Sequence, residues 1–276
     1  MLSVNTNTGA MTALQYLDNT NSQLQQTENV VSTGQKVSSA KDNGAIYAIA
    51  QNMRGNVAGY SAVTDSLNRG MSVTDTAMSA AQSVSDLLVQ MKQNVLAASD
   101  TSLDSTSRAS LAADFQAMSD QITSIVENAS FNGINIVSNA TGTGAGQSIS
   151  ALASASDQTQ TITVAGQDLT VGTLGVGTAY TTQTTAAAMV GTVSAAMSTV
   201  NTVLSTLSSG SKKFSIQADF VSKLSNTLTT GIGNLVDADM AQESALLTSL
   251  QTKQQLGIQA LSIANSAPAT ILSLFR

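Results

Sequence analysis

The chain of 276 residues has no cysteine, no histidine and no tryptophan, and it has a single proline. With imidazole and thiol both missing, the commonest general base, the strongest side-chain nucleophile and the soft metal ligands are missing too, which argues against an enzyme and against a zinc centre. Aromatic residues make up 3% of the chain against 42% hydrophobic residues overall. The apolar mass is therefore Ala, Val, Leu, Ile and Met, which suits thin layers of helix on helix. With one proline, helices can run long.

Charge is scarce as well. Charged residues are 10% of the chain and the net charge is -6, a sign that offers no attraction to nucleic-acid phosphates or anionic lipid. Neither nucleic acid nor membrane insertion is expected. Residues 1–41 carry Asp18 and Glu28 against Lys36 and Lys41, and residues 241–276 carry Glu243 against Lys253 and Arg276, which leaves -7 for the middle. Near-neutral ends can be buried against copies of themselves, while an acidic middle faces solvent and limits lateral clumping. The first thirty residues lack a basic stretch followed by an apolar one, and no uninterrupted apolar run of about twenty residues occurs. The expectation is a chain without a secretory signal peptide or a membrane span.

What is present is helical periodicity. Val57, Tyr60, Thr64, Leu67, Met71, Thr74, Met78 and Ala81, then Val84, Leu88, Met91, Val95 and Ala98 step by threes and fours. This predicts a coiled-coil seam with one register slip at Val84. A second stripe, Leu111, Phe115, Met118, Ile122, Ile125 and Ala129, follows the breaker-rich stretch around Asp100 to Ser107, and a third runs from Val193 to Leu235 with Gly210 inside it. A helix-interior glycine costs about 1 kcal/mol relative to alanine. Three such rods bury their stripes against one another as a bundle.

Residues 138–185 change to Gly, Ser, Thr and Ala. Within them Thr161 to Val164 and Leu169 to Val171 alternate about Ala165-Gly166-Gln167-Asp168, which predicts a small hairpin. Asn132-Gly133 is a second tight-turn signal, with Ile134, Ile136 and Val137 starting a strand after it.

The two ends are weaker. Ala10, Leu17, Leu24 and Val31 repeat every seven residues, but the positions read as their companions, Leu14, Asn21 and Glu28, turn polar. Asp239 with Gln242 three residues on resembles a capping box, and Leu247, Leu250, Ile258, Leu261 and Ala264 follow before Pro268, a helix-stop signal. Isolated helices of this quality gain too little in water to offset ordering, so each end needs the other, or other subunits. Asp237, Asp239 and Glu243 are read as helix-start residues in preference to an oxygen-ligand metal cluster. The methionines at helical spacing are read as core.

Several short segments resemble the bacterial flagellin family: Val4-Asn5-Thr6-Asn7, Ser32-Thr33-Gly34, Ser39-Ala40-Lys41-Asp42 with Ala45, Ala48, Ile49 and Ala50, Asn68 with Gly70 and Ser72, and Phe131-Asn132-Gly133. Asp237, Asp239, Ala241, Glu243, Asn265, Pro268 and Leu272 to Arg276 continue the likeness at the other end. The resemblance implies a mainly α fold: an elongated bundle of long coiled-coil helices with a small β-hairpin excursion, whose terminal helices pair coaxially in the polymer. It also implies a structural subunit of the flagellar filament, exported unfolded through the flagellar type III apparatus and located outside the cell, with no cofactor.

Three regions are expected: residues 1–36 and 239–276 as an inner domain of terminal helices, 37–137 and 186–238 as an outer helical bundle, and 138–185 as a short variable segment. Leu14, Leu17, Leu24, Val31, Leu247, Leu250, Ile258, Leu261 and Phe275 are the expected polymer interface, and Ser39, Lys41, Asp42, Ala48 and Ile49 the connector. The implied partners are copies of the chain itself, sibling flagellins, an export chaperone on the C-terminal helix, and the filament cap and hook-junction proteins. Of the alternatives, a hook–filament junction protein shares the paired termini but fits the connector and the C-terminal residues less well. A secreted coiled-coil adhesin requires one continuous heptad block and a receptor head, and a metallopeptidase insert requires zinc-binding histidines.

Overall fold

The computed structural model describes residues 6–138 and 147–273, with side chains described up to residue 266. The described residues form six helices and two strands: α1 (Thr8–Thr33), α2 (Gly44–Ala98), α3 (Ser105–Asn128), β1 (Ile149–Leu152), β2 (Thr161–Val164), α4 (Val171–Leu174), α5 (Gln183–Val236) and α6 (Met240–Ser273). The chain divides into two units, one of residues 1–55 and 227–276, the other of residues 56–226.

The core of the second unit is built from α2, α3 and α5. Along α2 the buried positions Val63, Leu67, Gly70, Thr74, Ala77, Ala81, Val84, Leu88, Met91, Val95 and Ala98 alternate steps of four and three without a break. The slip expected at Val84 is therefore absent. Reading Met71 and Met78 as seam residues creates it, whereas the seam passes through their smaller neighbours Gly70 and Ala77, and the methionines pack beside the core. At Gly70 an added Cβ would meet the Phe214 ring at 3.1 Å, so that seam position takes a residue without a side chain and Met71 packs at the edge, whereas Met91 further along is itself a buried seam residue.

Helix α5 buries Ala186, Val193, Val200, Leu207, Phe214 and Val221, one every heptad, into the same core. By length and composition α5 is also apolar enough to cross a membrane. Its heptad stripe from Ala186 to Val221 is buried in the core, while Ile216 and Phe220 stand exposed. Helix α3 starts at Asp104, whose Oδ1 accepts from Thr106 N and Ser107 N at 2.8 and 2.9 Å, and it buries Phe115, Ser119, Ile122 and Val126, so that Ser119 and Val126 take the seam positions expected of Met118 and Ile125, which pack beside the core. Arg108 closes the turn before it, donating from Nε to Ala98 O at 2.9 Å and so covering an unpaired carbonyl at the end of α2.

The hairpin departs from expectation. Strand β2 lies where predicted, but its partner is β1, antiparallel, with Ile149 opposite Val164 and Leu152 opposite Thr161. The segment read as the second strand goes elsewhere. Gln167 N and Leu169 N donate to Ile136 O and Val137 O, and Asp168 Oδ1 accepts from Thr170 N at the entry to α4. Gly166 has no positive φ, so the primed turn that would fold Thr161–Val171 into a hairpin is not formed. Asn132-Gly133 does form one, with φ of 50° and 79°, between Phe131 and Ile134. Ile136 and Val137 follow it buried but in a bend and not in the expected strand, with Val137 N and Ser138 N donating to Asn135 Oδ1.

The hairpin is seated on the helices through glycine. A side chain at Gly210 would bring its Cβ to 2.5 Å from Val164 Cγ2, and one at Gly70 would meet the Phe214 ring at 3.1 Å and Ala151 Cβ at 3.4 Å. The helix-propensity cost of Gly210 is thus offset by the close approach of β2. Two hydrogen bonds hold β1 and the turn after it: Leu152 N to Ser66 Oγ on α2, and Gln217 Nε2 on α5 to Ala153 O. On the same core, Tyr180 packs edge-on to Phe115 with ring centroids 5.6 Å apart and donates its hydroxyl to Asn94 Oδ1.

Candidate assembly interface

In the first unit α1 packs antiparallel on α6. Helix α1 opens at Asn7, whose Oδ1 accepts from Ala10 N at 3.0 Å, and closes at Gly34, where a φ of 71° lets the chain leave the helix while its N–H donates to Val30 O. Helix α6 opens at Asp239, whose Oδ1 accepts from Ala241 N at 3.0 Å and Gln242 N at 3.3 Å, the capping expected there. Helix α6 does not stop at Pro268 but runs to Ser273. A proline inside a helix removes the N–H that would serve the carbonyl four residues back. That carbonyl, Ala264 O, accepts from Asn7 Nδ2 at 2.7 Å, so the bond the proline cannot make is supplied by the other terminal helix.

The facing residues are only partly those expected. Leu24 and Leu250 are buried, while Leu17, Val31, Leu247 and Leu261 are half-buried in phase with them. Leu14 and Ile258 are 48% and 55% exposed and lie off this seam. The companions of Leu17 and Leu24 are Ala13, Thr20 and Thr27, with Thr27 buried, rather than Leu14 and Glu28. Small residues again occupy the centre. Asn21 does enter the seam, and its Oδ1 accepts from Gln254 Nε2 at 2.7 Å. Leu17 sits against Gly257, where an added Cβ would lie 3.2 Å from Leu17 Cδ1. Phe275 lies outside the described residues.

The chain then passes through a tied joint. Residues leaving α1 pair with the end of α5: Lys36 N donates to Val236 O at 2.8 Å and Ala238 N to Gly34 O at 3.0 Å. Lys36 Nζ donates to Asn234 O at 3.2 Å, a cation placed at the negative end of a helix. Next, one carboxylate oxygen, Asp42 Oδ2, accepts from Ser38 N, Ser39 N and both serine hydroxyls at 2.9 to 3.2 Å. The backbone N–H of Ser39, with the Ser38 groups behind it, favours the ionised form and holds the Asp42 carboxyl below its ordinary value. Asn43 Oδ1 caps α2 by accepting from Ile46 N.

Of the expected connector residues, Ser39 and Asp42 come together, while Lys41, Ala48 and Ile49 are exposed. Of the buried residues of the joint, Val37 and Val236 are not among those expected, and Ala50, quoted only for its resemblance, turns out to be core, with Ile46, Tyr47 and Ile232 around them. The spacing Ile46, Ala50, Met53, Val57 carries the α2 seam back into this region and could have found Ala50.

The pair α1/α6 thus leaves large apolar residues uncovered on both helices: Met11, Leu14 and Tyr16 on one, Leu246, Leu256, Ile258 and Ile263 on the other. Such a concentration of exposed apolar side chains marks an association surface, and the class of protein it defines is an assembling helical subunit.

Residues 4–142 match the family model of the bacterial flagellin N-terminal helical region, and residues 176–275 match that of the C-terminal helical region. Flagellin FljM of Caulobacter vibrioides is 48% identical over 99% of this chain and 98% of its own length. Flagellin FljK of the same organism is 46% identical over the same shares, and a flagellin of Brucella melitensis is 35% identical over 100% of both chains. The chain belongs to the bacterial flagellin family. It is a structural subunit of the extracellular flagellar filament, formed by self-polymerisation, and not an enzyme.

Proposed function

We propose that the half-covered α1/α6 pair is the surface through which copies of this chain join in the filament. The observation that carries this reading is the set of exposed apolar residues on those two helices, Leu14 and Ile258 among them, beside a seam whose own positions are only half-buried. Neighbouring copies supply the missing cover, and an asymmetric surface that meets its neighbour head to tail without closing builds an open helical array. Leu17, Leu24, Val31, Leu247, Leu250 and Leu261 then hold the pair together from within, and Leu14 and Ile258 face the neighbour.

In this reading residues 1–36 and 239–276 form the inner layer of the filament, 37–137 and 186–238 the outer one, and 138–185 the outward-facing surface. The chain travels unfolded through the flagellar type III apparatus, a chaperone holding the Leu247 to Leu261 stripe until export. Cap and hook-junction proteins, and sibling flagellins, meet the same terminal helices. Removing residues 1–31 should abolish addition to filament seeds while leaving most of the helicity measured by circular dichroism. Normal growth of the truncated chain on seeds, seen by negative-stain microscopy, would sink the interface.

A further inference from the structure

The α1/α6 seam has a register problem. On α1 the residues Ala10, Leu17, Leu24 and Val31 recur every seven positions, and on α6 Leu250, Gly257 and Ala264 do so beside Leu247 and Leu261. Sliding one helix by a heptad therefore keeps apolar opposite apolar or small residues. Leu24 would face Gly257, and Val31 would face Leu250. Hydrophobic matching alone does not select one alignment, and a seam of small side chains gives little steric resistance to the slide.

Three features belong to one alignment only. Asn21 meets Gln254 at 2.7 Å. Leu17 fills the space above Gly257. Asn7 reaches the carbonyl that Pro268 leaves without its helical donor, at 2.7 Å. In the heptad-shifted alignment just described, Asn21 would face Leu261 and Gln254 would face Glu28. In the opposite shift Asn21 would face Leu247 and Gln254 would face Leu14. The first shift strands Asn21 against Leu261, although Gln254 meets the Glu28 carboxylate, and the second sets both amides against leucine; a buried donor or acceptor deprived of its partner is costly. A polar pair at a seam position is a known way to trade stability for a unique register.

We propose that Asn21 and Gln254 are the residues that select the register in which the two terminal helices pair, with Asn7 at the freed Ala264 carbonyl as a second lock. This rests on the reading of the α1/α6 pair as the assembly surface and adds what makes that surface unique. With Leu17 over Gly257, Tyr16 lies level with Ile258 and Met11 with Ile263, all four exposed. A heptad slip displaces the two rows by about 10 Å, at about 1.5 Å per residue, so a neighbouring copy would meet a different surface. The amides act through the helices they align and touch no neighbour themselves.

The absence of cysteine makes the test clean. Two reporter pairs share one position: Ala13→Cys with Leu261→Cys lies across the native register, and Thr20→Cys with Leu261→Cys lies across the slipped one. Each is placed in the full-length chain, grown on filament seeds, oxidised and read by non-reducing electrophoresis. With Asn21 and Gln254 in place, the first pair should cross-link and the second should not. With N21L and Q254L together, the slipped pair should cross-link as well. With the exchanged amides, N21Q and Q254N, the native pair alone should again cross-link.

Leucine filaments that yield only the native cross-link, or exchanged filaments that yield the slipped one, would overturn the proposal. Leucine chains that no longer join seeds, beside exchanged chains that do, would support it, because misaligned ends do not seat. Failure of the native pair to cross-link in otherwise unaltered filaments would count against α1/α6 pairing itself and not against the register residues.

Discussion

The two units use the same heptad grammar to opposite ends. In the second, successive seam positions of α2 from Leu67 to Ala98 are buried, and α5 and α3 cover them with Leu207, Phe214, Phe115 and Ile122. In the first, among the described residues only Leu24, Thr27 and Leu250 of the α1/α6 seam are buried, and large apolar residues stand exposed around it. Each fully buried aliphatic side chain contributes about 1.5 to 3 kcal/mol, so the difference is one of self-sufficiency. One unit buries a continuous seam within its own chain, although Leu96, Ile216 and Phe220 stand exposed outside it, while the other leaves its seam half-covered.

The contrast can be broken from either side. Phe214→Ala removes a ring that lies over Gly70 in the self-sufficient core, and it should lower the stability of the unassembled chain by about 3 to 5 kcal/mol in a denaturant titration. Leu14→Ser, on an exposed site, should leave that titration within about 0.5 kcal/mol of the unaltered chain while weakening growth on seeds. Equal loss of stability from the two substitutions would erase the distinction between the units.

A smaller effect tests the seat of the hairpin. Glycine to alanine inside a helix ordinarily stabilises by about 1 kcal/mol. Gly210→Ala should instead destabilise by about 1 to 3 kcal/mol, since the new methyl would sit 2.5 Å from Val164 Cγ2. A rise in melting temperature would show that β2 does not press on α5 as described.

The smallest effect concerns Asp42. Its carboxyl is held below the ordinary 3.8 by the Ser39 N–H and the Ser38 groups. A depressed folded-state value contributes stability that is complete above the unfolded value and is lost as pH falls through the folded one. Asp42→Asn should therefore destabilise the joint at neutral pH, and the difference from the unaltered chain should shrink below about pH 4, as thermal melts at pH 7 and pH 3 would record. A gap that stays constant across that range would remove the clasp from the account.

Much of this was readable before any coordinates. The helices α3 and α5, the Asn132-Gly133 turn, the Asp239 cap and the strand Thr161–Val164 follow from periodicity and turn chemistry, although in α3 the buried stripe runs through Ser119 and Val126 and not through Met118 and Ile125. The misses share one cause. In α2 the seam passes through Gly70 and Ala77 and not through Met71 and Met78, and in α1 it passes through Ala13 and Thr27 and not through Leu14 and Glu28. At these particular positions a small residue fits the contact and the larger neighbour packs beside it, where a reading by hydrophobicity picks the larger. The partner of β2 was missed for a similar reason, because Ile149-Ser150-Ala151-Leu152 shows little alternation and is paired by the helices beneath it. The bond from Asn7 to the carbonyl that Pro268 frees joins residues 257 apart in sequence, beyond the reach of any local pattern.

The tied joint has one more consequence. Asp42, Asp100, Asp104 and Asp157 each have a lowered carboxyl value because they accept from N–H and hydroxyl groups a few residues away. Dissolved ions screen charges across about 10 Å at 0.1 M, far more than the 2.6 to 3.2 Å spanned by these bonds. At that ionic strength these short local bonds, the Asp42 clasp among them, are therefore little weakened by screening.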